Sequence, residues 1–126
     1  MGFKTDYARV HGSGAAGEGL HHWWSQRISS IALIPLLPLF LIPFGRALGG
    51  GHDAFVATYS SLWNALVAIL FIAATFAHLQ QGLQVVIEDY VPNKATRTVA
   101  LLANTLLCWA LGIAGVLAVA TVLFSA

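Results

Sequence analysis

Six residues have the types and spacing to do chemistry: His78, Gly82, Asp89 and Tyr90 in AHLQQGLQVVIEDY, and His21 and Arg27 in HHWWSQR. His78 is the only group titrating near neutrality in the 34 formally uncharged residues from Ala54 to Ile87. An imidazole in so apolar a stretch has a donor and an acceptor nitrogen to satisfy, either against a neighbouring helix or as a metal ligand. Four residues on, Gly82 leaves a gap on the same helix face, which a flat macrocycle held by His78 would need in order to approach the backbone. Imidazole beside a groove is the chemistry of haem. His78 and Asp89 are 11 residues apart, so at about 100° per residue a helix brings them within about 20° of one direction, about 16 Å along its axis. That stripe runs through Gln81, Gly82 and Val85 and ends in Glu88, Asp89 and Tyr90. Tyr90 reads either as an interfacial anchor or, beside a carboxylate, as half of a quinone site. In the second case its phenol donates to a quinone carbonyl and Asp89 relays the proton taken up on reduction. Trp23 and Trp24 read as an aromatic belt, and Arg27 either anchors at the interface or pairs with anionic haem propionates.

The elements that must position these groups follow from composition. Of 126 residues, 58% are hydrophobic and only 9% charged, with a mean hydropathy of +0.77. Six Lys/Arg and five Asp/Glu cannot supply a polar shell for so apolar a chain, so the bilayer is its solvent. The expected fold is an all-α membrane protein with three transmembrane helices. A net charge of +1, spread along the chain, excludes nucleic acid as a partner. The single cysteine, Cys108, excludes an internal disulfide or a multi-cysteine cluster and reads as a small apolar core residue.

Because ionised groups are kept at the ends of spans, charge-free gaps mark the crossings. Ile28 to Gly45 gives 18 residues, about 27 Å as a helix, close to the hydrocarbon thickness. Ala54 to Ile87 is overlong for one crossing, and 29 uncharged residues follow Arg97. These predict a cytoplasmic segment over 1–27 and an anchor domain over 28–126, with spans at about 28–48, 55–87 and 98–124. Pro35, Pro38 and Pro43 predict a kinked first helix. GRALGGGHD reads as a polar turn on one surface, where His52 and Asp53 are solvated, and EDYVPNKATR as a connection on the other. Lys4, Arg9, Arg27, Lys94 and Arg97 fall on the side of the N-terminus against Arg46 alone, so the N-terminus is expected in the cytoplasm and the C-terminus in the periplasm. The first 27 residues lack a signal or transit pattern, which favours a bacterial inner membrane over a mitochondrial one.

This arrangement resembles the smaller cytochrome b membrane-anchor subunit of succinate dehydrogenase, respiratory complex II. The resemblance covers nearly the whole chain. It rests on the three spans, on His78 followed by Gly82 and the Asp89–Tyr90 pair at His-x(10)-Asp-Tyr spacing, and on HHWWSQR at the start of the first span. It implies that His78 is an axial ligand of haem b and that Tyr90 and Asp89 lie at the ubiquinone site. It further implies that Arg27 and His21 lie near the haem propionates. The His-Arg motif and histidine-rich second span of the larger anchor subunit are absent.

One histidine at membrane depth supplies one axial ligand, so the second must come from a partner, implied to be the larger cytochrome b anchor subunit. No flavin site, dicarboxylate pocket or cysteine cluster is present, so FAD and the iron–sulfur clusters belong to flavoprotein and iron–sulfur subunits docked at the inner face. The implied activity is succinate:ubiquinone oxidoreduction. Two other readings share these features: a fumarate reductase anchor working with menaquinol, and a haem-free structural anchor in which His78 only bonds a neighbouring helix. A channel is disfavoured, because the charges gather at one surface rather than lining a path.

Overall fold

The structure is a computed structural model that describes Thr5, Asp6 and residues 18–125. Lys4 and Arg9, which contribute to the charge bias, and most of the first 17 residues lie outside the described residues. Four helices follow in chain order over residues 18–125: α1 (Glu18–Leu48), α2 (Gly51–Tyr59), α3 (Leu62–Tyr90) and α4 (Lys94–Ser125). α1, α3 and α4 are long and apolar enough to cross a membrane, matching the three charge-free gaps. The chain is an all-helical membrane protein.

Two boundaries differ from the sequence expectation. α1 begins at Glu18 instead of near residue 28, so HHWWSQR is part of the first long helix and not a segment ahead of it. A charge cannot cheaply enter hydrocarbon, but it can sit on a helix that projects beyond it, so charge limits mark the membrane and not the helix. The stretch expected as one helix over 55–87 is divided at Ser60–Ser61 into α2 and α3. Ser61 is extended at φ −70, ψ 124, and the side chain of Asn64 donates to the carbonyl of Thr58 at 2.9 Å across the corner.

The connections are short. Between α1 and α2 the turn is reduced to Gly49 and Gly50, and Gly51 takes φ +72, a left-handed conformation that glycine adopts without a Cβ penalty. α3 ends at Tyr90, where Val91 turns extended ahead of Pro92, as the steric demands of the proline ring require. Asn93 Oδ1 then accepts from the backbone N–H of Thr96 at 3.1 Å, satisfying a free donor at the start of α4. α1 stays helical through Pro35, Pro38 and Pro43, which leaves the carbonyls of Ile31, Ile34 and Leu39 without their usual donors four residues on.

α3 is the central helix: it packs on α4 along one side and on α1 along the other, while α1 and α4 do not meet. Small residues set the α3–α4 approach. A Cβ on Gly112 would lie 3.2 Å from that of Phe76, and one on Gly115 3.1 Å from a methyl of Ile72, so any larger residue there would push the neighbouring side chain by a few tenths of an ångström. The buried Asn104 donates to the Gln80 carbonyl at 2.9 Å, and the buried Cys108 thiol contacts Asn104 Oδ1 at 3.5 Å. At the other end, Phe40 of α1 stacks on Phe71 of α3 at 4.5 Å, and Tyr59 of α2 closes the cluster with 1% exposure. No residue in the most apolar window of α1 is buried within the chain, so lipid or partner helices must cover that surface.

Candidate functional site

His78 lies on α3 where that helix meets the first turns of α1, and it is half-buried. Its Nδ1 contacts Ser29 Oγ at 3.1 Å and Ser30 Oγ at 3.5 Å. Both hydroxyls donate back to the carbonyl of Gln26, at 2.9 and 2.8 Å, the usual habit of serine inside an apolar helix. No described residue hydrogen-bonds His78 Nε2. About one turn further along α3, Gln81 Nε2 donates to Ser25 Oγ at 2.7 Å. Antiparallel pairing of α1 with α3 thus matches Ser25 and Ser29, four apart, with Gln81 and His78, three apart. Two atoms at this junction are buried without a partner, Gln81 Oε1 and His22 Nε2.

A bond from His78 to a neighbouring helix is therefore present, but it uses only one of the two ring nitrogens. The other remains an electron-pair donor or a proton donor that no described residue engages. Gly82, one turn on, is flanked by open space: a Cβ built there meets no heavy atom within 4 Å. Among the described residues no group of three or more His, Cys, Asp or Glu side chains could chelate an ion. The residues fit a haem: a positioned imidazole, a nitrogen that no described residue engages and an unfilled flank beside it.

Asp89 and Tyr90 stand at the end of the same unbroken helix, both exposed, Tyr90 at 80%. Neither side chain hydrogen-bonds another described residue, so phenol and carboxylate are both open to a ligand or a partner subunit. Glu88, beside them, is engaged differently: Gln80, Gln84 and Glu88 form a ladder along the α4 side of α3, with Gln84 Nε2 donating to Glu88 Oε1 at 2.9 Å.

Around α1 the named residues diverge. Arg27 stacks its guanidinium over Trp23, 5.2 Å from the ring centroid, and is exposed; Trp23 in turn meets Trp24 edge-on at 5.1 Å. Arg27 lies two residues from Ser25, about 160° around the helix from the face that meets α3. His21 is exposed, whereas its neighbour His22 is half-buried and lies three residues before Ser25, on the α3 side. The structure brings His78, Gln81 and the serines together; it does not bring Arg27 or His21 against His78. His52 and Asp53 are solvent-exposed and pair only with each other, at 3.5 Å. Ser25, Ser29 and Ser30 do not stand out in the sequence reading, although two serines four apart on an apolar helix are a signal for interhelical bonding.

Fold and site together define a three-span membrane protein that offers one imidazole nitrogen within its central span and a phenol–carboxylate pair at the end of the same helix. The family model described as succinate dehydrogenase/fumarate reductase transmembrane subunit matches residues 1–124. The chain is 32% identical over 120 residues to the succinate dehydrogenase hydrophobic membrane anchor subunit of Paracoccus denitrificans, covering 95% of this chain and 92% of that one. It is 28% identical over 109 residues to the subunit of that name from Rickettsia conorii, covering 84% and 85% of the two chains. It is 31% identical over 86 residues to the succinate dehydrogenase membrane anchor subunit of Reclinomonas americana, covering 66% and 72%. No solved structure matches the chain. The chain belongs to the succinate dehydrogenase/fumarate reductase transmembrane-subunit family.

Proposed function

We propose that this chain is the smaller membrane anchor of a succinate:ubiquinone oxidoreductase in a bacterial inner membrane, holding one axial position of haem b and completing the ubiquinone site. The observation that carries this reading is the division of labour on His78: Nδ1 is tied to α1 while Nε2 is left without a partner among the described residues, beside the open flank of Gly82. The names of the relatives, succinate dehydrogenase anchors in each case, support succinate oxidation over the fumarate reductase direction.

In this reading His78 Nε2 would hold the iron, the absent side chain of Gly82 would leave room for the group, and the larger anchor subunit would supply the other iron ligand. When bound, the haem supplies a one-electron acceptor beside the quinone. Arg27 and His21 or its neighbour His22 serve the propionates; Arg27 would leave the face of Trp23 to do so. Tyr90 donates its phenol proton in a hydrogen bond to a ubiquinone carbonyl, and Asp89 carries a proton from the aqueous side to the reduced oxygen. Both sit at the end of α3 that turns into α4, near Arg97 and Lys94, on the side that the Lys and Arg bias reads as the cytoplasmic face, where the iron–sulfur and flavoprotein subunits dock. Succinate itself is oxidised on the flavoprotein.

The test is a reduced-minus-oxidised optical spectrum of the complex purified in mild detergent through a tag on this chain. A b-type signal supports the reading. A flat spectrum with all partner subunits present reduces the chain to a haem-free anchor.

A further inference from the structure

We propose that Ser29 and Ser30 are positioning residues that fix the tautomer of His78, holding its proton on Nδ1 so that Nε2 is kept as an electron-pair donor; this rests on the reading of His78 as a haem ligand. A serine hydroxyl has one proton to give and two lone pairs to offer, and a carbonyl oxygen has no proton at all. The contacts of Ser29 Oγ and Ser30 Oγ with the Gln26 carbonyl, 2.9 and 2.8 Å, can be hydrogen bonds only if both hydroxyl protons point at that carbonyl. What each serine then presents to His78 Nδ1, at 3.1 and 3.5 Å, is a lone pair.

A bare Nδ1 would face those lone pairs with its own, an acceptor against two acceptors in a half-buried site. A protonated Nδ1 completes every bond. Turning the Ser29 proton toward Nδ1 instead would break its bond to Gln26 and set two acceptor oxygens 2.9 Å apart. The arrangement with all groups satisfied has Nδ1–H donating to Ser29, with Ser30 in reserve at the outer limit of hydrogen-bond distance. A neutral imidazole carries one ring proton, so Nε2 is then unprotonated, the form in which it can ligate iron without first losing a proton. Because the serines stand on α1 and the imidazole on α3, helix pairing itself prepares the ligand before any cofactor arrives.

Nitrogen-15 NMR of the full chain, labelled at histidine, tests this directly, with the His78 resonances assigned by their loss in His78→Gln. The expected result is a protonated Nδ1 and an unprotonated Nε2 on neutral His78. In the double variant Ser29→Ala/Ser30→Ala, protonation moves toward Nε2, and Ser29→Thr, which keeps the hydroxyl, restores the original pattern. An unprotonated Nδ1 in the unaltered chain, or an identical pattern in the double variant, overturns the proposal. In the assembled complex the double variant should hold haem about 10–100-fold more weakly, the usual effect of losing an outer partner of a ligating histidine. If the double variant keeps haem as tightly as the unaltered complex while His78→Gln loses it, the serines have no positioning role and His78 remains the ligand. If His78→Gln keeps its haem, the ligand reading fails, and the nitrogen-15 pattern still decides the tautomer.

Discussion

Gln81 on α3 donates a hydrogen bond to Ser25 on α1 at 2.7 Å, one turn nearer the end of α3 than the contact between His78 and Ser29. The two bonds clamp α1 to α3 at the depth where the imidazole sits. Aromatic stacking between Phe40 and Phe71 holds the same two helices further along, so the site is braced by polar groups at one end and rings at the other.

The clamp has a measurable worth. Side-chain hydrogen bonds between membrane helices average about 0.6 kcal/mol and reach about 1.7 kcal/mol. Gln81→Leu is expected to lower the stability of the complex by an amount in that range, read as an earlier unfolding transition in mixed detergent micelles, with insertion of all three spans unchanged.

Two glycines offer a paired test of where the open flank lies. Gly82→Leu places a side chain where no described residue stands within 4 Å of a Cβ, so the subunit should insert and assemble normally while its haem content falls sharply. Gly112→Leu meets Phe76 instead, and should cost about 1–3 kcal/mol of stability while the complexes that do assemble retain haem. Normal haem content in Gly82→Leu would move the cofactor away from this flank.

Much of this is legible in the sequence, and what is not has a physical reason. Hydrocarbon excludes charge, so the gaps after Arg27 and Arg97 locate two crossings, and period-3.6 geometry puts His78, Gly82 and Asp89 on one stripe. The corner at Ser60–Ser61 is hidden because uncharged residues flank it on both sides. The start of α1 at Glu18 is hidden because helices run on past the membrane that the charges delimit. Ser29 cannot be tied to His78 from spacing alone: 49 residues separate them, and only the register of α1 against α3 selects that serine over others nearby.

For the quinone pair, Tyr90→Phe removes one hydrogen-bond donor from an exposed position and should leave folding untouched. The expected result is a loss of ubiquinone reduction of about two- to thirteenfold, the worth of one hydrogen bond of about 0.5–1.5 kcal/mol, with succinate oxidation by an artificial acceptor intact. Unchanged ubiquinone kinetics would make Tyr90 an interfacial anchor.

The central claim is that His78 of this chain holds the haem iron. The most direct measurement is haem per complex, quantified as the pyridine haemochrome, for the unaltered chain and for His78→Ala purified through the same tag. The account predicts about one haem b per complex falling to a small residue in the variant, with all subunits still associated. Full haem occupancy and an unshifted spectrum in His78→Ala would contradict it.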